Sequence, residues 1–404
     1  MNSGDTAFML VATAMVMLMT PGLALFYGGM VRSKNVLATL MQSFLCLGIV
    51  SIIWVVYGYS MAFGPDVGGF VGNLDWAGMK GVGTTPGPYS ETIPHLLFAA
   101  FQLMFAVITP ALITGAFAER IKFSAYLIFT VAWITLVYFP VCHWVWGGGW
   151  IGGHGGLDFA GGTVIHINSG AAALVAALMI GKRKGWGKEA FHPHNLGMTL
   201  LGAGILWFGW FGFNAGSALS AGEIATVAFF ATQVASGAAA VSWIIMEWLT
   251  QGKPTTLGAA SGAIAGLVAI TPGAGFVGPN SAIIIGLVAG AVCYFAVLAK
   301  AKLGYDDALD VVGVHGVGGL WGALATGLFA STAINPAGAD GLFFGNPSLL
   351  GIQAMDAFST IIYSLIVTFV ILKAIDLTIG LRVSHEDEMQ GLDLSQHSET
   401  GYSL

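Results

Sequence analysis

Apolar stretches near the length of a bilayer crossing follow one another along the whole chain, separated by short polar gaps. A helix needs about 20 residues to cross the hydrocarbon layer, and eleven stretches qualify: about 6–30, 36–62, 93–117, 123–144, 161–181, 196–217, 223–249, 257–275, 281–300, 309–330 and 352–380. The pattern predicts an all-α polytopic membrane protein of eleven transmembrane helices, with a membrane domain over about 1–380 and a tail over about 381–404. The first stretch has no basic segment before it. It ends at Arg32 and Lys34 rather than at a small-residue cleavage site, so it is read as a transmembrane helix and not as a cleaved leader.

The gaps alternate in character. Arg32 and Lys34, then Arg120 and Lys122, then Lys182, Arg183, Lys184 and Lys188, then Lys253, then Lys300 and Lys302 occupy every second gap, and the tail begins at Arg382. The other gaps are rich in Gly, Pro and Asp, with Lys80 their only Lys or Arg. Cytoplasmic loops carry the excess of Lys and Arg, which puts the N-terminus outside and the C-terminus in the cytoplasm.

Two motifs recur five helices apart. Ile108-Thr109-Pro110 in helix 3 matches Ile270-Thr271-Pro272 in helix 8, and His166 in helix 5 matches His315 in helix 10. A five-helix unit repeated in tandem must invert in the membrane. The expected organisation is a 5+5 inverted repeat, about 6–181 and about 196–330, plus a final helix over about 352–380. Coincidence among apolar segments competes with each match alone; two matches at one offset favour the repeat.

Composition agrees with a membrane setting. The chain is 56% hydrophobic and 8% charged, against roughly 25% charged in a soluble domain. Its 59 glycines suit close helix approach in a bilayer. A net charge of −6 without a basic patch gives no footing for nucleic acid. Cys46, Cys142 and Cys293 fit no metal or disulfide spacing and read as small core residues.

Ionisable groups in hydrocarbon normally face the bundle interior or a water path. His166 lies in GGTVIHINSG and His315 in DVVGVHGVGG, both among Gly and apolar residues. An interhelical hydrogen bond explains a single such histidine as well as a pore does; two at repeat-equivalent positions favour a pore. A pair of neutral imidazoles can share a proton and offers a few hydrogen bonds to a small polar solute while resisting a second positive charge. No third ligand stands near either, so no metal is expected. Asp158, just before helix 5, either binds a cation directly or accepts backbone hydrogen bonds at the helix start and attracts cations indirectly; the second role is favoured. Asp310, before His315, is expected to do the same at the other end.

Three aromatic groups adjoin polar or Gly-rich positions: Phe101 and Phe105 on one face of helix 3, Trp146 in VWGGG, and Trp210 with Phe213 ahead of Asn214 and Ser217. Periodicity alone favours core packing for each. The alternative is a cation-attracting aromatic surface.

GYSMAFG, AFAERIKFSA, LDFAGGTVIHIN, GKRKGWGKEAFHPHN, GWFGFNAGS, SGAIAGLVAITP and DVVGVHGVGG together resemble the Amt/Mep/Rh ammonium transporters, in particular their bacterial branch, from about residue 6 to about residue 402. The resemblance implies a homotrimer with one pore per subunit in the plasma or inner membrane. It implies an ammonium recruitment site at Phe101, Phe105, Trp146 and Ser217, a gate of Phe105 and Phe213, and a pore at His166 and His315, with Asp158 near the recruitment site. It also implies a tail that packs under the pore and a PII (GlnK-type) signal protein that plugs the cytoplasmic exit. The conducted species would be ammonia, or ammonium deprotonated at the entrance with separate proton transfer. No cofactor is implied.

Other classes fit less well. An ion-coupled carrier of organic solutes favours broken helices around a roomier polar site. An intramembrane enzyme needs a nucleophile with a base or a metal set; no HExxH is present and Ser217 has no base in its own segment. An ammonium sensor would have to signal through a partner, because the tail is too short for an output domain.

The alternation of basic gaps generates a topology test. With single cysteines introduced at Lys184 and at Asp75, an impermeant maleimide applied to intact cells is expected to label position 75 and spare position 184. Strong external labelling at 184 reverses the assignment.

Overall fold

The computed structural model describes residues 1–402. It is a helical membrane bundle. Among the described residues, ten helices are long and apolar enough to cross a bilayer: α1 (Ser3–Met30), α2 (Ser33–Phe63), α3 (His95–Phe117), α4 (Phe123–Gly153), α5 (Gly162–Ile180), α6 (Leu196–Gly216), α7 (Glu223–Gln251), α9 (Pro279–Leu303), α10 (Val312–Phe329) and α11 (Pro347–Thr378). The remaining expected span is shorter: α8 (Thr256–Ile270) has 15 residues and is followed by turns through Phe276. The Ile-Thr-Pro motif continues as helix in α3 but is followed in α8 by Gly273-Ala274-Gly275, which favours the turn. The tail adds α12 (His385–Gln390) and α13 (Leu392–His397).

Small residues set the helix spacing. A Cβ at Gly202 of α6 would run into the backbone of Phe26 in α1, and one at Gly212 would meet the backbone of Ala12. Gly266 of α8 and Gly286 and Gly290 of α9 stand in the same way against the α7 backbone at Ala235 and Ala239. In lipid, where apolar side chains gain little by leaving their surroundings, such close van der Waals packing holds helices together. Four spans contain a π-helical turn: Trp54–Gly58, Ile134–Tyr138, Gly162–Ile167 and Val312–Val317. The last two carry His166 and His315.

One face of the bundle is built from the Gly-, Pro- and Asp-rich gaps. Two hairpins, β1 (Asp66–Val67) with β2 (Val71–Gly72) and β3 (Pro86–Gly87) with β4 (Ser90–Pro94), shape the loop between α2 and α3. Asp66 anchors it on the buried His143 of α4 at 2.9 Å.

The basic gaps meet at the opposite face around two acids. Glu119 accepts from Arg32, Asn35 and Arg183, while Arg183 also binds Asp306 at 2.8 Å. Arg120 donates to the carbonyls of Gly181 and Asp306. Burial would raise both acids, but Arg183 with Arg32 holds Glu119, and Arg183 with Arg120 holds Asp306, below the usual carboxylate range. Four loops are thereby tied together.

The tail closes over this cluster. Arg382 binds Glu388 at 2.7 Å and donates to the carbonyls of Ile180 and Lys182. Glu388 accepts from the Lys184 amide, and Asp393 accepts from the Ala38 amide near the start of α2. Leu392 packs with Ala38 and Val383. The tail therefore meets the Lys182–Lys188 segment through a buried glutamate, which backbone donors and one arginine serve. The Lys182 ammonium instead lies over Trp186.

Glu119→Ala leaves two guanidinium groups without their shared acceptor. Breaking a buried charge pair costs about 3–5 kcal/mol, so a clear drop in the melting temperature of the purified protein is expected, read by tryptophan fluorescence. An unchanged melting temperature means that the cluster is dispensable.

Candidate functional site

The site is created where α5 and α10 cross. A Cβ at Gly170 would run into the Gly316 backbone, so the two helices touch main chain to main chain just beyond their histidines. The crossing brings His166 and His315 together: the Nδ1 atoms are 3.2 Å apart and the rings are stacked at 5.2 Å, tilted by 25°. One Nδ1 must donate and the other accept, so the accepting ring is neutral and the two rings cannot both be protonated while the bond is made. Both side chains are buried. His166 also stacks on Trp210 at 5.4 Å, and its Nε2 has no hydrogen-bond partner among the described residues.

Each histidine turn is held at its start by a buried aspartate eight residues earlier. Asp158 accepts from the amides of Gly161, Gly162, Thr163 and Val164 at 2.7–3.2 Å. Burial raises its affinity for a proton, while the four N–H donors favour the charged form. This is the backbone-accepting role favoured for it. At α10 the equivalent acceptor is Asp307, which takes the Val312 amide at 2.7 Å; burial pushes its carboxyl up to about 6. The capping role expected of Asp310 thus belongs to Asp307. Asp310 instead contacts the Lys300 ammonium and borders a cavity. Sequence reasoning missed Asp307, although its eight-residue offset from His315 repeats that of Asp158 from His166.

The aromatic residues form a column next to the pair. Phe105 meets Phe213 at 4.4 Å with the planes tilted by 44°, and meets Trp146 edge-on at 5.9 Å. Trp146 is half-buried, and its indole N–H donates to the Asp158 carbonyl at 2.8 Å, which fixes the ring. The Ser217 hydroxyl donates to the Phe213 carbonyl at 2.8 Å, leaving its oxygen lone pairs free to accept. Phe101 packs edge-on against Phe105 at 4.8 Å, and both rings are buried.

Below Phe213 lies a narrow cavity of about 10 Å³, roughly the space that one water-sized molecule needs. Its walls are Met19, Leu23 and Phe26 of α1, Ile108 and Leu112 of α3, Ile165, Leu206 and Ile264, and its polar lining is His166, His315 and Trp210. A second cavity, also of about 10 Å³, shares Phe26, Ile264 and His315 and continues past Tyr27 and Ser261 to Asp310. The two chambers meet at the histidines and lead toward the face that carries the basic cluster. The apolar walls, and the part α1 plays in them, were not singled out in the sequence because they look like any other membrane core.

This architecture recurs in known proteins. The sequence profile of the Ammonium Transporter Family matches residues 7–402. The chain belongs to the ammonium transporter family. An ammonium transporter of Bacillus subtilis (strain 168) is 58% identical over 403 residues, covering 100% of this chain and 99% of the relative. The ammonium transporter Amt1 of Archaeoglobus fulgidus is 48% identical, with 100% of each chain covered. Among solved structures, Candida albicans Mep2 superposes with a TM-score of 0.91 at 36% identity, over 100% of this chain and 91% of that one. A sensor Amt protein superposes with a TM-score of 0.90 at 29% identity, over 98% of each. The chain is thus a multi-pass membrane protein of the ammonium transporters, and not an enzyme.

Proposed function

We propose that this ammonium transporter recruits ammonium at Trp146, Phe105 and Ser217, passes it through a gate of Phe105 and Phe213, and conducts ammonia along the chambers that meet at His166 and His315. The observation that carries the reading is the histidine contact at 3.2 Å inside an otherwise apolar cavity. A dry, narrow passage excludes hydrated ions, because stripping water from a charge is far more costly than stripping it from a neutral amine. The aromatic column stabilises a cation before its proton leaves, at about 0.5–2 kcal/mol per desolvated face, and the Ser217 oxygen accepts one N–H. Asp158 adds an indirect negative potential while holding the turn that carries His166. Whether net transport is of ammonia or of ammonium depends on whether the proton follows by a separate route.

The orientation that accompanies this reading has the hairpin face and the N-terminus outside and the basic face and tail in the cytoplasm, in the plasma or inner membrane. The family resemblance supports a homotrimer with one pore per subunit. It also supports regulation by a PII-type protein that docks on the cytoplasmic face, where the ordered tail and the Lys182–Lys188 segment adjoin.

Purified protein in liposomes tests the pore, with ammonium-evoked current and internal pH recorded together. His166→Ala removes a buried partner worth about 1–3 kcal/mol and is expected to slow transport about tenfold or more, or to abolish it, while leaving the oligomer intact. Trp146→Leu is expected to raise the half-saturating ammonium concentration more than it changes thermal stability. Normal, selective transport by the His166→Ala, His315→Ala double variant would sink the pore assignment.

Deleting the residues after Arg382 removes α12 and α13. The expected outcome is a membrane-inserted protein with reduced transport and weakened binding of a PII-type protein in a pull-down. Wild-type transport and binding by the truncated protein would reduce the tail to a structural cover.

A further inference from the structure

Every buried acid in the two clusters described above is neutralised or hydrogen-bonded. Asp356 is not. It lies in roughly the third turn of α11, from the outer end, is 3% exposed, and neither carboxylate oxygen has a hydrogen-bond partner among the described residues. Directly over it runs the outer loop between α4 and α5. Gly156 sits so close that a Cβ there would collide with Asp356 Oδ2. One turn earlier on α11, Gln353 grips the same loop at both backbone ends of one residue, accepting from the Leu157 amide at 2.7 Å and donating to its carbonyl at 2.8 Å. The loop above, His154 and Gly155, is exposed. A carboxylate held out of water with no donor is strongly destabilised unless a positive charge joins it. The ionisable groups whose charge reaches it are Asp158, already bound by four amides, and His154.

We propose that Asp356 is a second cation-binding position on the outer side, distinct from the apolar pore, which takes a small monovalent cation (ammonium, Na⁺ or K⁺) beneath the 154–158 loop. One free carboxylate suits a single charge. No group of three or more His, Cys, Asp or Glu able to hold a metal ion occurs among the described residues, which disfavours a divalent ion. The loop above is glycine-rich, so its peptide carbonyls can turn toward a bound cation. Through Gly156 and Leu157 the occupied position braces Asp158, whose carbonyl holds the Trp146 indole. The position itself stands apart from the pore reading; only its bearing on recruitment rests on it.

The test is a thermal-melt series on purified full-length protein at fixed pH and ionic strength, starting in N-methylglucamine chloride and exchanging to sodium, potassium or ammonium chloride. At least one small cation is expected to raise the wild-type melting temperature by about 2 °C or more. Asp356→Asn is expected to lose that rise and His166→Ala to keep it; Asp356→Ser, too small to clash, replaces Asp356→Asn if the latter does not fold. An equal rise in the Asp356 variants overturns the proposal. So does a wild-type protein that responds to none of the three salts. A failure of the pore assignment would appear in the liposome flux of the histidine variants and not in this series.

Discussion

Two glycines fix the geometry on which the rest depends. Because Gly170 and Gly316 have no side chains, α5 and α10 meet at backbone distance, and His166, one turn before Gly170, falls within hydrogen-bond reach of His315, the neighbour of Gly316. A single methyl group at Gly170 would run into the Gly316 backbone, force the helices apart and separate the rings. The π-helical turns that carry the histidines serve the same end, since each rotates its histidine relative to the following helix. Asp158 and Asp307 then satisfy amides that those irregular starts leave open. The imidazole pair is thus a product of main-chain packing, and its neighbours need only be apolar.

The molecule separates its polar and apolar duties along the membrane normal. Around the histidines the walls are Ile, Leu, Met and Phe. At the basic face, by contrast, Glu119 and Asp306 gather arginines from loops far apart in sequence. Such an arrangement puts the groups with the largest desolvation penalties where water and lipid headgroups are near, and leaves the interior to packing.

Much of this was legible in the sequence, for physical reasons. Span lengths and loop charge follow from bilayer thickness and the handling of Lys and Arg, so the helical course and the grouping of the basic gaps at one face could be read directly. His166, His315, Phe105, Phe213 and Trp146 stood out because imidazoles and Gly-flanked aromatics are unusual in lipid. Asp310 was mistaken for Asp307 because both precede His315, and nearness in sequence does not say which carboxylate turns toward an amide. The short α8 was overestimated because its apolar pattern runs on through Thr271-Pro272 while the backbone turns away.

The docking of the tail bears on biogenesis. Asp393 accepts the Ala38 amide near the start of α2, and Glu388 accepts an amide of the loop between α5 and α6, so residues made late complete elements made long before them. Until the tail has been made, the start of α2 lacks its carboxylate and the loop after α5 lacks its clasp. The basic face is therefore finished only when α12 and α13 fold back on it: a chain that stops before them differs from one that carries them at its first loops as well as at its end.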